Sequence, residues 1–185
     1  QLIVQTVIKN YLAPAIAGID LGNVAELHAR MDALIKGYPY AKAAVEFAFY
    51  DLSSHALGIP VHMLLGGRAR SHVPITHSIG LVSIADAEKE AAQVAAERIR
   101  TIKIKIGVDP RRDIDVVRAV RGAVGDDVEL CVDANEGYKT PGEAISTVRQ
   151  MEKYRLKYVE QPVMGIERLA AVARAIDPPV MADES

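Results

Sequence analysis

Two rhythms divide the chain. Up to about residue 66, apolar positions recur three and four apart in "QLIVQTVIKNYLAPAI" (1–16), "NVAELHARMDALIKG" (23–37) and "YAKAAVEFAFYDLSSHALG" (40–58), which predicts three helices forming one helical unit. Asn23 is a good cap for the second, and Gly37 and Gly58, the latter followed by Pro60, are stop signals. From "HVPITHSIG" onward the rhythm changes to short β-rich runs alternating with amphipathic segments. Strands are expected at 73–78, 101–106, 128–134, 157–161 and 179–184, with helices between them at 84–98, 111–124, 140–154 and 165–176. A βαβαβαβαβ order of this kind predicts a parallel sheet, hence an α/β fold.

The strand "TIKIKIG" (101–107) carries Thr101, Lys103 and Lys105 on one face and Ile102, Ile104 and Ile106 on the other, because side chains two apart point the same way. An edge strand with one wet face would explain that. The later strands offer another account. Lys105, Asp133, Glu160 and Asp183 follow one another at intervals of 28, 27 and 23 residues, and each falls at the C-terminal end of its strand. That is the end of a parallel α/β sheet where active sites are built.

Three acids on successive strands, Asp133 in "VDAN", Glu160 in "VEQP" and Asp183 in "MADES", would converge above the sheet. Oxygen donors in that number suit Mg²⁺ or Mn²⁺ better than zinc. A single acid in such a place can equally cap the following helix. Of the adjacent Asp183 and Glu184, alternation lets only one point inward, and spacing does not say which. Two ammonium groups close together and near a cation would each disfavour the other's charge, which predicts a lysine pKa lowered toward neutrality and so a usable base. Base and cation together define abstraction of a proton α to a carboxylate, with the cation stabilising the enediolate.

Composition narrows the partners. Half of the 185 residues are hydrophobic, enough for a sizeable core, and 22 basic against 24 acidic residues give a net charge of −2 with no long run of either sign. A nucleic-acid tail or membrane-surface patch is not indicated, and a small-molecule partner is expected. The single cysteine, Cys131, lies in an apolar strand, where a free buried thiol is expected, as in a reducing cytoplasm. No apolar stretch approaches the roughly 20 residues of a membrane span.

The motifs "KIKIG", "VDAN", "VEQP" and "MADES", in that order and with "YAKAAVEFAFYDL" and "GIPVHMLLGG" upstream, resemble the enolase superfamily. Within it the likeness is to the mandelate racemase/muconate lactonizing enzyme group, nearest its muconate lactonizing subgroup. The resemblance implies a modified (β/α)₇β barrel of the TIM type preceded by an α+β capping domain. Residues 1–67 would be the helical part of the cap and 68–185 the first five barrel strands, so the chain is expected to be an internal fragment of a larger enzyme, with later strands and the cap's opening sheet missing. It implies metal ligation of Mg²⁺ (or Mn²⁺) by Asp133, Glu160 and Asp183, with Glu184 a neighbour, Lys105 as the base and Lys103 polarising the site.

The implied function is racemisation or epimerisation of an amino-acid derivative. A lyase (dehydratase) or cycloisomerase reaction through the same enediolate is the alternative within the superfamily, and an inactive truncated fragment is the alternative outside it. An ordinary phosphate-binding barrel would need glycine-rich loops later than this chain reaches. The family also implies a small carboxylate substrate and a homo-oligomer. Further candidates are His77, which either faces substrate or bonds locally, and Asn135, a substrate-binding or turn residue. Gln161 could orient a metal ligand, Glu136 and Tyr138 could line the mouth, and the arginines of "GVDPRRD" are expected to face solvent.

Overall fold

A computed structural model describes residues 1–185, which divide into two compact units, Gln1–His72 and Val73–Ser185. In the first, α1 (Leu2–Val7), a π-helical turn (Ile8–Leu12) and α2 (Ala13–Ile16) replace the single expected helix. Pro14 cannot donate to the carbonyl four residues back, and the helix widens immediately before it. Helix α3 (Val24–Leu34) is capped by the Asn23 side chain, which accepts from the Glu26 N–H at 3.1 Å. Helix α4 (Pro39–Leu57) ends at Gly58 in the left-handed conformation, and the short α5 (Val61–Leu64) follows. Val7, Leu12, Leu27, Met31, Ala41, Val45 and Phe49 form this unit's core. No helix is long and apolar enough to cross a membrane.

The second unit alternates β1 (Thr76–Ile79), α6 (Ile84–Ala96), β2 (Thr101–Lys105), α7 (Pro110–Val124), β3 (Glu129–Asp133), α8 (Pro141–Met151), β4 (Leu156–Glu160), α9 (Ile166–Ala173) and β5 (Val180–Met181). All five strands are parallel and lie side by side in chain order. This is the succession of a partial TIM-type barrel. Ser83, Asp109 and Thr140 cap α6, α7 and α8 by accepting from the N–H three residues on. The strand faces turned to the helices carry Ile79, Ile102, Ile104, Leu130, Val132 and Val159, packed with Ala87, Val94, Val117, Val120, Val148 and Val172.

Two strands are shorter than the hydrophobic pattern suggests. β1 starts at Thr76, since Pro74 has no N–H for a ladder and Val73 and Ile75 lie exposed. β5 pairs with β4 alone, through Val159↔Val180 and Glu160↔Met181, and the chain beyond Met181 leaves the ladder.

Candidate active site

Register explains the lysines of β2. Lys103 lies level with Cys131, and Lys105 with Asp133, which in turn lies level with Glu160 on β4. The face opposite the apolar core therefore carries polar groups that rise in layers toward the strands' C-terminal ends. At the lowest layer Glu129 accepts from Lys157 at 2.5 Å and from Thr101 at 3.2 Å. In the middle lie Lys103, Cys131 and Tyr158. Burial pushes the Cys131 thiol up, and burial beside that thiol pushes the Tyr158 phenol up to about 12. Cys131 is free and buried.

At the top, Lys103 Nζ donates to Glu160 Oε1 and Oε2 at 3.1 and 3.2 Å and stands 3.2 Å from Asp133 Oδ2. Lys105 Nζ donates to Asp133 Oδ2 and to Asn135 Oδ1, both at 2.5 Å. The Asn135 N–H returns to Asp133 Oδ1 at 3.0 Å, and its Nδ2 reaches Glu184 Oε1 at 2.8 Å. Both carboxylates are almost wholly buried, yet they differ. Burial acts to raise both; two lysines and the Asn135 N–H overcome it and hold Asp133 below the usual carboxylate range. Glu160 has Lys103 alone and faces the Asp133 charge, so burial wins and its pKa is raised.

The expected lowering belongs to lysines beside a cation; the protein's own groups push Lys103 the other way. Its burial favours the neutral form, but hydrogen bonds to Glu160 and Asp133 outweigh that and raise it. The flanking carboxylates, rather than a second ammonium, dominate its surroundings.

The structure brings two of the three expected metal ligands together. Asp133 and Glu160 share the Lys103 ammonium, whereas Asp183 is exposed on the segment after β5, and no three His, Cys, Asp or Glu side chains stand close enough to hold a metal. Asp183 is tied in through its backbone, its N–H donating to Gln161 Oε1 at 2.8 Å, while Gln161 Nε2 donates to the Val163 carbonyl and to Ser185 Oγ. Gln161 is thus a wholly buried staple between the ends of β4 and β5. The donor chemistry of the Asp133–Glu160 pair fits a hard cation: two buried carboxylates, level with one another, already gather around one positive charge.

His77 is corrected. It lies level with Ile102 on the face turned to the helices, and its Nε2 bonds Glu90 Oε1 of α6 at 2.7 Å, so it does not face the lysines. Thr76 and Ser78, level with Thr101 and Lys103, are the β1 residues on that face, as the alternation of "THS" implies. Arg112 is not turned to solvent either, because it reaches the Val82 carbonyl at 2.8 Å and Asp113 at 3.2 Å. Asp113, wholly buried, had no distinguishing sequence signal, since an acid in a helix's first turn is commonplace.

Comparison with known proteins places this arrangement. Residues 1–66 match the mandelate racemase/muconate lactonizing enzyme N-terminal domain model, and residues 86–185 match the enolase C-terminal domain-like model. The chain is 32% identical to the N-succinyl-L-Arg/Lys racemase of Bacillus cereus over 96% of its own length and 48% of that protein. It is 33% identical to the chloromuconate cycloisomerase of Delftia acidovorans over 86% of itself and 44% of that protein. The structure of a dipeptide epimerase from Enterococcus faecalis, complexed with Mg and the dipeptide L-Leu-L-Tyr, superposes with a TM-score of 0.89 at 32% identity, covering 98% of this chain and 51% of that one. The chain spans about half the length of the curated relatives it matches. With both domain models matched and the lysine and carboxylate motifs on consecutive parallel strands, the chain belongs to the mandelate racemase/muconate lactonizing enzyme family of the enolase superfamily.

Proposed function

We propose that this chain belongs to an enzyme that removes the proton α to a carboxylate and returns one, racemising or epimerising an amino-acid derivative such as an N-acylated amino acid or a dipeptide. The observation that carries the reading is the stacking of Lys103 and Lys105 against Asp133 and Glu160 on one face, at the C-terminal ends of β2, β3 and β4. Lys105 is the proton acceptor at Nζ, aimed by Asn135 and Asp133. Lys103, which its carboxylate partners keep charged, adds fixed positive potential where negative charge grows on the substrate. Asp133 and Glu160 would hold Mg²⁺ or Mn²⁺, with Asp183 the third ligand once its exposed side chain turns toward them from a backbone that Gln161 anchors. The cation, when bound, neutralises charge on the substrate carboxylate as the α-proton leaves. The Mg and dipeptide bound to the Enterococcus faecalis relative support both the cation and the substrate class.

The test is solvent exchange. The intact enzyme, with Mg²⁺ and a panel of dipeptides and N-succinyl amino acids in deuterated water, should lose the substrate α-proton signal in proton NMR, and Lys105→Ala should abolish the loss without unfolding the protein. Absence of exchange across the panel, with magnesium bound, would sink the reading.

A further inference from the structure

Outside the lysine–carboxylate cluster, one buried charged group is held by the loops that frame it. Asp113 Oδ2 accepts from the Gly107 N–H at 2.8 Å and from the Tyr138 hydroxyl at 3.1 Å, and Oδ1 accepts from Arg112 at 3.2 Å. Gly107 is two residues beyond Lys105, and Tyr138 is three beyond Asn135. One carboxylate thereby spans the loops after β2 and β3. Those loops also touch: a Cβ on Gly107 would lie 2.5 Å from the Ala134 carbonyl oxygen, and one on Gly137 would lie 2.2 Å from that of Gly107. The β3 loop is stitched onward to the end of β4, Glu136 and Tyr138 donating their N–H groups to the carbonyls of Gln161 (2.8 Å) and Pro162 (3.2 Å). Tyr138 is almost wholly buried, and burial beside Asp113 pushes its phenol up, so its hydroxyl is a permanent donor.

We infer that Asp113 is a positioning residue: clasping Gly107 and Tyr138, it locks the loops after β2 and β3 and so sets where Lys105 meets Asn135 and Asp133. Two observations beyond the hydrogen bonds support this. Asp109, not Asp113, caps α7, so Asp113 is not spent on the helix terminus. Asn135 and Glu136 both sit at positive φ, +43° and +64°, a conformation that costs non-glycine residues and persists only where the surroundings impose it.

The inference rests on the proposed role of Lys105, and its test separates the two. Backbone amide exchange in Asp113→Asn and Tyr138→Phe reads the clasp without any turnover. A hydrogen bond to a buried carboxylate is worth enough to slow exchange about tenfold, so Asp113→Asn should speed the Gly107 amide by about that factor and the Glu136 and Gly137 amides with it. Ile104 and Val132, inside the sheet, should keep their protection. Tyr138→Phe should reproduce the Glu136 and Gly137 effect, and the double variant should be no worse than Asp113→Asn, since both remove one device. In the intact enzyme kcat should fall about ten- to a hundredfold with KM little changed, the signature of a displaced reacting group. Faster exchange at Gly107 alone would overturn the inference, as would a loss of thermal stability with kcat intact. If wild-type enzyme exchanges no α-proton, the proposed function fails while the amide data still decide whether the clasp exists.

Discussion

Replacing Lys103 by methionine removes an ammonium and keeps much of the stem's length, which isolates the charge. Lys103 is the only partner of Glu160's carboxylate and one of two lysines on Asp133, with contacts of 3.1 to 3.2 Å. At that separation each pair attracts by about 5 kcal/mol with an effective dielectric constant near 20, most of it offset by the desolvation of the charges. Removing one partner of a buried pair typically costs about 3–5 kcal/mol, because the other charge is left uncompensated. Lys103 keeps 22% of its side-chain surface exposed, against 1% for Asp133 and 6% for Glu160, so some water screens the site. The expected loss is about 3 kcal/mol, the lower end of that range.

Urea unfolding in chelator at neutral pH should show the midpoint fall with the slope unchanged. The pH dependence has a definite sign. Glu160's pKa is raised in the folded state, so its favourable contribution is present below the usual glutamate range and is lost as pH rises through the raised value. Asp133's is lowered, so its contribution is present above the usual aspartate range and is lost as pH falls through the lowered value. Without Lys103 the Glu160 carboxyl takes a proton more readily still. The Lys103→Met deficit should therefore be largest at neutral pH and shrink in mild acid, where a neutral Glu160 needs no ammonium. Millimolar magnesium should restore part of it at neutral pH. A variant as stable as wild type in chelator at neutral pH would refute the reasoning.

Two further outcomes follow from the geometry. Gly137→Ala places a Cβ 2.2 Å from the Gly107 carbonyl oxygen and 2.7 Å from its Cα, atoms of backbone that must shift, and should cost about 1–3 kcal/mol in thermal or urea unfolding; an unchanged melting temperature would show that the loops separate freely. His77→Asn loses a part-exposed contact with Glu90 on the helix side and should cost no more than about 1 kcal/mol, while leaving substrate turnover and magnesium affinity at wild-type values. A rise in KM would return His77 to the substrate face.

The alternation of β-rich runs with amphipathic helices was enough to predict a parallel sheet of five strands, while their side-by-side order in chain sequence followed only from the family resemblance and is seen in the structure. The face shared by Lys103 and Lys105 followed from the two-residue period of a strand, and the recurrence of charge at strand ends from the length of a βα unit. These are local properties, set by backbone geometry and readable from spacing. His77 was ambiguous because a histidine suits either face, and only register with Ile102 and contact with Glu90 decided it. The direction in which the protein's own groups push the Lys103 pKa depends on Asp133 and Glu160, 30 and 57 residues away along the chain, so no local pattern carried its sign. Asp113 looked like any acid in a first helical turn; burial against Gly107 and Tyr138, which meet only when β2 and β3 lie side by side, makes it the group that joins two loops. Sequence alone determined which residues share a strand face and which end of the sheet bears the charge, because periodicity acts over a few residues. Tertiary structure alone decided which charges meet and which carboxylates share a proton donor, because those depend on the register between strands far apart in the chain.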